Sequence, residues 1–394
     1  MSSGINKLYQ IANKPKRVII GLMSGTSLDG LDIALCKISG TGLNSKAVIL
    51  HFETVHYSDE FKDDIKNIFS KRQTDLEKVT LLNAKIGTLH AEMINHFLTK
   101  HGISAKEIDC IASHGQTIYH APKRMHQLKD YPNATFQIGD ADHIAVKTGI
   151  ATISDFRQKH VAAGGEGAPL ALYGDYILFS SNIENRILLN IGGISNFTYL
   201  PKLGTPNQIV CTDCGPGNTL IDALCKKHFN VSYDSSGDIA RKGKVNQAVL
   251  DELLEHPFFR DDLPKTTGPE LFNLNFVEQA LADTGAKNIS PEDLIVTVSQ
   301  LTVEAIMLTI KKVHKTSGFS LYLSGGGANN LFLREQIALK LPENKVLLTE
   351  DLGIAADAKE ALLFALLANE TLCGSAMETN AGPRIMMGKI SLPD

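Results

Sequence analysis

The chain has 394 residues, 43% of them hydrophobic and 21% charged, with a formal net charge of −4. That length predicts two domains and that composition excludes disorder. With no long basic run, neither nucleic acid nor an anionic membrane surface is an expected partner.

The six cysteines form no dense framework, which suits a reducing compartment. The N-terminal stretch MSSGINKLYQIANKPKRVII has no continuous apolar core of the signal-peptide kind. No stretch reads as long and apolar enough to span a bilayer. The expectation is a cytoplasmic protein, with no membrane contact, that acts on a small molecule.

In chain order, Val18 to Leu22 and Leu31 to Ile38 read as strands, the second with Leu31, Ile33 and Leu35 on one face. Thr74-Asp75-Leu76-Glu77 reads as a capping box opening a long helix whose stripe is Leu82, Ile86, Leu89, Met93 and Phe97, with Gly102 beyond its end. Ile108 to Ala112 is a short strand ending at SHGQT. A polar stretch with proline follows, from Pro122 to Pro132, and another strand ends at SDFR near Asp155. AAGGEGAPL, from Ala162 to Leu170, is too rich in glycine for regular structure, so a domain boundary is placed at about 155/156. The first domain then spans 1–155, joined by the tail 374–394, and the second spans 156–373.

Arg186 to Asn190, Phe197 to Leu200 and Ile209 to Thr212 are the next strands, and a helix follows to about Phe229. Ser290-Pro291-Glu292-Asp293 starts a helix that runs to about Val313. Leu321 to Leu323 is a strand, Leu331 to Leu341 a helix, and Ala356 to Cys373 a last helix before a loose tail. The alternation predicts an α/β protein. Glycine-bearing bends at Gly21 to Gly30 and at Gly192-Gly193 each open about half of the chain, a weak internal echo.

The bend GLMSGTSLDGLDIALC lacks the lysine and following helix of a P-loop, and it is not the dinucleotide fingerprint. What remains is a hairpin tip of backbone N–H groups with the hydroxyls of Thr26 and Ser27, suited to phosphate oxygens. Asp29 and Asp32 are placed to hold Mg²⁺ through water. Asp29-Gly30 is equally a good hairpin turn by itself. NIGGISN, with Gly192 and Gly193, is a second such bend. LSGGGANN, with Gly325, Gly326, Gly327 and Asn329, leaves a strand with backbone free to lie flat on a purine. Three glycine bends at strand ends point to a nucleotide between two lobes.

In DCGPGN, Asp213 sits at a strand end before a helix whose N-terminus favours anions, where a carboxylate serves as general base. The alternative is that Asp213 caps the helix, and the reading prefers the base because Asn218 or Thr219 supplies a cap. Cys211 and Cys214 form a C-x-x-C without a second pair for zinc and without a redox helix start, so they are not given a chemical role. His114 and Gln116 suit a hydroxylated ligand, and a satisfied buried histidine is the competing reading. His90 and His96, six residues apart on the long helix, read as structural. Arg157 suits a carboxylate or an ordinary ion pair, and Glu360 is an ordinary acid at a helix start.

Taken in order, GLMSGTSLDGLDIAL, SHGQT, DFR, AAGGEGAPL, NIGGISN, DCGPGN, KTTGPELFN and GGGANN resemble the anhydro-N-acetylmuramic acid kinase family over Val18 to Pro393. The resemblance implies an actin-like (ribonuclease H-like) two-lobed sugar kinase fold with a nucleotide cleft. It implies ATP and Mg²⁺, and 1,6-anhydro-N-acetylmuramic acid, an amino sugar of peptidoglycan recycling, as substrate. Water opens the anhydro bridge at C1 and O6 takes the γ-phosphate, giving N-acetylmuramic acid 6-phosphate and ADP. By resemblance Asp213 activates the water. Gly25, Thr26, Ser27, Leu28, Asp29, Gly30, Leu31 and Asp32 match the ATP-binding loop. His114, Gln116, Arg157 and Glu360 match polar positions near substrate or phosphates, and the family is typically a homodimer.

The chain departs from the family at Glu166, where Gln is commoner, and at Pro269, where Arg is usual. The extension Met1 to Arg17 and the insert Pro122 to Tyr131 match nothing assignable. Two other readings stay open at this level: a kinase for another small sugar, and an actin- or chaperone-like switch ATPase.

Overall fold

The computed structural model describes residues 3–202, 208–286, 288–314, 318–355, 357–376 and 382–394. The chain divides into two compact units, Met1–Leu178 with Asp357–Asp394, and Phe179–Ala356.

In the first unit, β1 (Lys16–Ser24) pairs antiparallel with β2 (Gly30–Ser39), and β2 with β3 (Lys46–His56). On its other side β1 pairs in parallel with β4 (Cys110–Ala121), which pairs with β5 (Ala134–Ile138) and, in parallel, with β6 (Thr152–Ser154). The apolar run of β1 is continuous because both faces of the sheet are covered. Ile20 and Leu22 join Leu31, Ile33 and Leu35 in one buried cluster with Leu82, Ile86, Ile94 and Phe97 of the helix Leu76–Lys100. The other face meets the helix Lys359–Cys373. That helix comes so close that a Cβ on Gly21 would lie 1.9 Å from the Ala361 carbonyl oxygen.

In the second unit, β7 (Asn185–Ile191) pairs antiparallel with β8 (Ile194–Leu200), and β8 with β9 (Val210–Pro216). On its other side β7 pairs in parallel with β10 (Phe319–Ser324), and β10 with β11 (Lys345–Leu348). Ile187, Leu189, Leu321 and Leu323 bury themselves with Ile295, Leu301 and Ile306 of the helix Pro291–Val313. The order β6-β4-β1-β2-β3 and the order β11-β10-β7-β8-β9 are therefore the same arrangement of parallel and antiparallel pairs. The echo expected from two glycine bends is a repeat of a whole sheet topology.

Several sequence expectations change. The boundary falls at Leu178/Phe179 instead of 155/156, because the helix Ala171–Phe179 packs on the first unit. Gly174 there abuts Leu363, and Asp175 pairs with Lys359 at 2.7 Å. For the same reason the last helix belongs with the first unit. Its expected start at Ala356 lies outside the described residues, and it begins at Lys359. The tail is not wholly loose, since Lys389–Ser391 pairs antiparallel with β6. The long helix is capped by Asp75, which accepts from the Glu77 and Lys78 amides, and not by Thr74. The strand expected to stop before SHGQT runs on to Ala121, changing partner from β1 to β5 around Gly115, whose φ is 71°. β9 likewise runs through Pro216. The extension forms the helix Ser3–Ala12.

Among the described residues one helix, Pro291–Val313, is long and apolar enough to cross a membrane, contrary to the expectation from the sequence. In the structure 83% of its most apolar window is buried inside the protein, so its hydropathy belongs to a core helix.

Gly21→Ala is expected to lower the stability of the protein by roughly 3 kcal/mol, because a backbone carbonyl occupies the space of the added methyl. A urea unfolding midpoint equal to that of the wild type would show that the helix Lys359–Cys373 shifts freely.

Candidate active site

The bend between β1 and β2 exposes Thr26, Ser27 and Asp29 while Leu28 is buried beneath it. Leu28 holds φ = 61°, a left-handed conformation that turns the chain sharply, and its amide donates to the Gly25 carbonyl. Among the described residues the Thr26 and Ser27 hydroxyls and amides make no hydrogen bond to protein, so they are available to a ligand. Gly25 has open space beside it, the nearest atom to a built Cβ being 3.5 Å away. Gly30 instead is required by packing, since a Cβ would lie 2.5 Å from the Val55 carbonyl oxygen.

Beneath the bend runs a ladder of buried polar groups. The Ser24 hydroxyl donates to Gln116 Oε1 at 2.5 Å and accepts from the Tyr57 hydroxyl at 2.8 Å. Tyr57 in turn lies 2.9 Å from His90 Nε2. Gln116 Nε2 donates to the carbonyls of Gly25 and Thr117. Burial pushes the His90 imidazole down to about 4, so it is neutral, and it pushes the Tyr57 phenol up. Gln116, fully buried, is thus committed on both ends of its amide. It lies under the bend and not at a ligand surface, which corrects its assignment as a substrate contact. His90 bonds to Tyr57, and only through Tyr57 and Ser24 does it reach the bend.

Asp32, half-buried on β2, accepts from Thr54 Oγ1 at 2.6 Å. Burial raises its carboxyl, and the neighbouring charges of Asp357 and Asp29 add to this. Among the described residues no group of three or more His, Cys, Asp or Glu side chains is placed to hold a metal. Two carboxylates beside free hydroxyls fit Mg²⁺ held through water, since that ion keeps part of its hydration shell and is completed by phosphate oxygens.

The same unit gathers the other polar residues. Arg157 donates through Nε to His114 Nε2 at 3.0 Å and through Nη1 to the Gly167 carbonyl at 2.7 Å. His114 is buried against Phe364, and burial, followed by the Arg157 charge, pushes its imidazole down to about 3. Glu360 opens to solvent, yet the protein mass around it raises its carboxyl, with Arg157 and Lys359 opposing the rise. Asp32 and Arg157 are thus both within electrostatic reach of Glu360, which is more than an ordinary acid at a helix start. Glu166 pairs with Arg124 of the insert at 3.1 Å, both partly exposed, a contact of small energetic weight.

In the second unit the hairpin Gly192-Gly193 receives the helix Thr219–Phe229. The amides of Gly217 and Thr219 donate to the Gly193 carbonyl and that of Asn218 to the Gly192 carbonyl. These amides are therefore not free for an anion, as the sequence had suggested. The Asn218 side chain donates to the Ile191 carbonyl and Thr219 Oγ1 to the Gly193 carbonyl, so neither caps the helix. Of the triple glycine, Gly325 and Gly327 pack against Asn190 and Ile191, while Gly326 lines a cavity of about 410 Å³ with Asn218, Asp222, Tyr233, Ser236 and Asn329.

Asp213, half-buried on β9, is clamped by the segment that follows Pro264. Its amide donates to the Lys265 carbonyl at 3.0 Å, and its Oδ2 accepts from the Thr267 amide at 2.8 Å. Lys265 Nζ lies 4.0 Å from the centre of the Phe258 ring and donates to the Phe258 carbonyl, and burial lowers its ammonium. Cys211 and Cys214 are both free thiols, and burial pushes the Cys214 thiol up, away from nucleophilic or redox chemistry. Thr54 and Tyr57 escaped the reading of the sequence because β3 was not recognised there. Lys265 and Thr267 lie within KTTGPELFN, and their contact with Asp213 is made across more than fifty residues, where no local pattern signals it.

The two units thus carry sheets of one topology, each with a glycine-bearing bend between two antiparallel strands. Residues 17–385 match the family model for anhydro-N-acetylmuramic acid kinase. The anhydro-N-acetylmuramic acid kinases of Pseudoalteromonas atlantica and Pseudoalteromonas translucida are 51% and 48% identical to the chain, each over 100% of both proteins. That of Caldanaerobacter subterraneus is 41% identical over 98% of this chain and 100% of its own. The chain belongs to the anhydro-N-acetylmuramic acid kinase family.

Gln116→Leu removes both ends of the support under the bend and leaves the Ser24 hydroxyl and Gly25 carbonyl to find other partners. It is expected to cost about 1–3 kcal/mol of stability and to raise KM for ATP. Unchanged unfolding and an unchanged KM would show that the bend holds its shape without Gln116.

Proposed function

We propose that the protein is an ATP-dependent kinase that opens 1,6-anhydro-N-acetylmuramic acid with water and phosphorylates O6, yielding N-acetylmuramic acid 6-phosphate and ADP. Family membership supports this over a switch ATPase or a kinase for a plain sugar. The observation that carries the chemistry is Asp213, whose carboxylate is oriented by the Thr267 amide. With Oδ2 so held, the carboxylate accepts a proton from water as the water oxygen bonds to C1 and the C1–O6 bond breaks. O6, released as the nucleophile, bonds to the γ-phosphorus, and the bond to the ADP oxygen breaks. No separate base is required for O6.

The exposed hydroxyls and amides of Thr26 and Ser27 serve as phosphate donors in this proposal, with Asp29 and Asp32 holding the hydrated metal. Mg²⁺ neutralises charge on the transferring phosphoryl group when bound. Gly192 and Gly193 act chiefly by shaping the second bend, and the cavity beside Gly326 takes the adenosine. His114 and the Gly167 carbonyl hold Arg157 and the charge of Glu360 favours its protonated form, while its Nη2 has no protein partner among the described residues. That guanidinium edge suits the lactyl carboxylate of the substrate. The reading extends to a cytoplasmic homodimer, on the strength of the family resemblance.

Product analysis in ¹⁸O-water tests the chemistry. Wild type should place the label at C1 of a phosphorylated sugar, and Asp213→Asn should lower the rate by about 10²–10⁴-fold. A phosphorylated product without label, or a mutant of undiminished rate, would refute Asp213 as the base. For Arg157→Lys the expected loss is far larger with the anhydro-muramic acid than with an analogue lacking the lactyl group; equal losses would remove the carboxylate contact.

A further inference from the structure

β9 is the last strand of its sheet, with β8 on one side only. The other edge of such a strand leaves backbone groups without a ladder partner. At Asp213 that edge is taken by the segment 264–267, which has no helix or strand of its own. Lys265 makes both backbone ties. Its carbonyl accepts from the Asp213 amide at 3.0 Å, and its amide donates to Thr212 Oγ1 at 3.0 Å. Thr212 is buried, and its hydroxyl has the Asp213 and Lys265 carbonyls as acceptors at 3.2 and 3.3 Å. Two residues on, the Thr267 amide holds the Asp213 carboxylate. Pro264 and Thr266 are exposed, and between them Lys265 is buried. Its ammonium donates to the Phe258 carbonyl at 2.8 Å and lies 4.0 Å from the centre of the Phe258 ring. Phe258 packs on Phe259 and Phe272 within the core of the second unit. The Phe259 ring in turn lies 3.1 Å from a Cβ built on Gly215, two residues beyond Asp213.

An ammonium is a costly way to fill buried space, and an unbranched apolar chain of similar length would fill it at lower cost. Burial and the Lys312 charge both oppose the charged form of Lys265, and the carboxylates of Asp261 and Asp213 favour it. What lysine supplies and an apolar chain lacks is a directed bond to a fixed carbonyl, with attraction to the ring face.

We propose that Lys265, seated by Thr212, is the positioning residue for Asp213: it fixes the segment whose Thr267 amide sets the direction of the base. The proposal rests on the reading of Asp213 as the group that takes the proton from water. The far end of the segment is pinned separately, since the Gly268 carbonyl accepts from the Leu271 and Phe272 amides. Released from Phe258, the segment would swing about that end and carry the Thr267 amide with it. A general base works only within hydrogen-bond reach of the proton it removes, and a displacement of about 1 Å costs up to about 100-fold in rate. The Lys265 side chain faces the Phe258 ring and carbonyl. Its effect therefore falls on the chemical step and not on the binding of sugar or ATP. A lysine that merely satisfied the Phe258 carbonyl would alter stability and leave the work of Asp213 untouched.

The test is a kinetic cycle of Lys265→Met, Asp213→Asn and the double variant, with ATP and the anhydro-muramic acid as substrates, each assayed well below its unfolding midpoint. Lys265→Met keeps the length of the side chain and removes the ammonium. It should lower kcat by about 10- to 100-fold and leave KM for both substrates as in wild type. In the Asp213→Asn background the same change should lower the residual rate no further, because the group it positions is gone. Thr212→Val, which removes the acceptor of the Lys265 amide and keeps the shape, should repeat this pattern. A wild-type kcat in Lys265→Met overturns the proposal. So does a loss of equal size with Asp213 and with Asn in its place. An Asp213→Asn enzyme of undiminished rate would refute the base reading itself. A slow Asp213→Asn enzyme beside a fully active Lys265→Met enzyme refutes this inference alone. If Lys265→Met does not fold, Thr212→Val in the two backgrounds decides the matter.

Discussion

A bend that presents bare donors to a ligand needs its own backbone carbonyls held without that ligand. Both units achieve this, by different means. In the first, side chains do it: His90, Tyr57, Ser24 and Gln116 form one hydrogen-bonded ladder that ends on the Gly25 carbonyl. In the second, backbone does it: the carbonyls of Gly192 and Gly193 absorb the first amides of the helix after Asp213. The exposed hydroxyls of Thr26 and Ser27 depend on the first arrangement, and the cavity beside Gly326 depends on the second.

Four carboxylates show how environment divides one chemical group into different tasks. Asp213 has one oxygen fixed by a backbone amide, which sets its direction. Asp32 is tied to Thr54 and crowded by Asp29 and Asp357, which favours a cation nearby. Glu360 shares the field of Arg157 and Lys359. Asp222 has only burial acting on it. The separation follows from what packs against each group and not from the residue type.

Glycine divides in the same way. Gly21 and Gly30 admit the backbone of a neighbouring element, and Gly325 and Gly327 pack on β7. Gly25, Gly192 and Gly326 have little against them, so their freedom serves the surface they present. Motifs that look uniform in the sequence therefore mix packing glycines with ligand-facing ones, and only the distance to a built Cβ separates them.

The sequence by itself determined the α/β class, most of the strands, the helix opened by Ser290, the two glycine bends and the aspartate that serves as candidate base. These are local matters: apolar runs, capping residues and turn chemistry act over a few neighbours. It also determined the family, because eight motifs in fixed order constrain the whole chain. Only the tertiary structure decided that Gln116 supports the bend from below, that Thr267 orients Asp213, that the helix Lys359–Cys373 belongs with the first unit, and that the apolar helix Pro291–Val313 is a core element. Each of these rests on contacts between segments far apart in the chain. Whether a glutamine meets solvent or a buried serine depends on what another strand brings to it, and no local pattern of residues encodes that meeting.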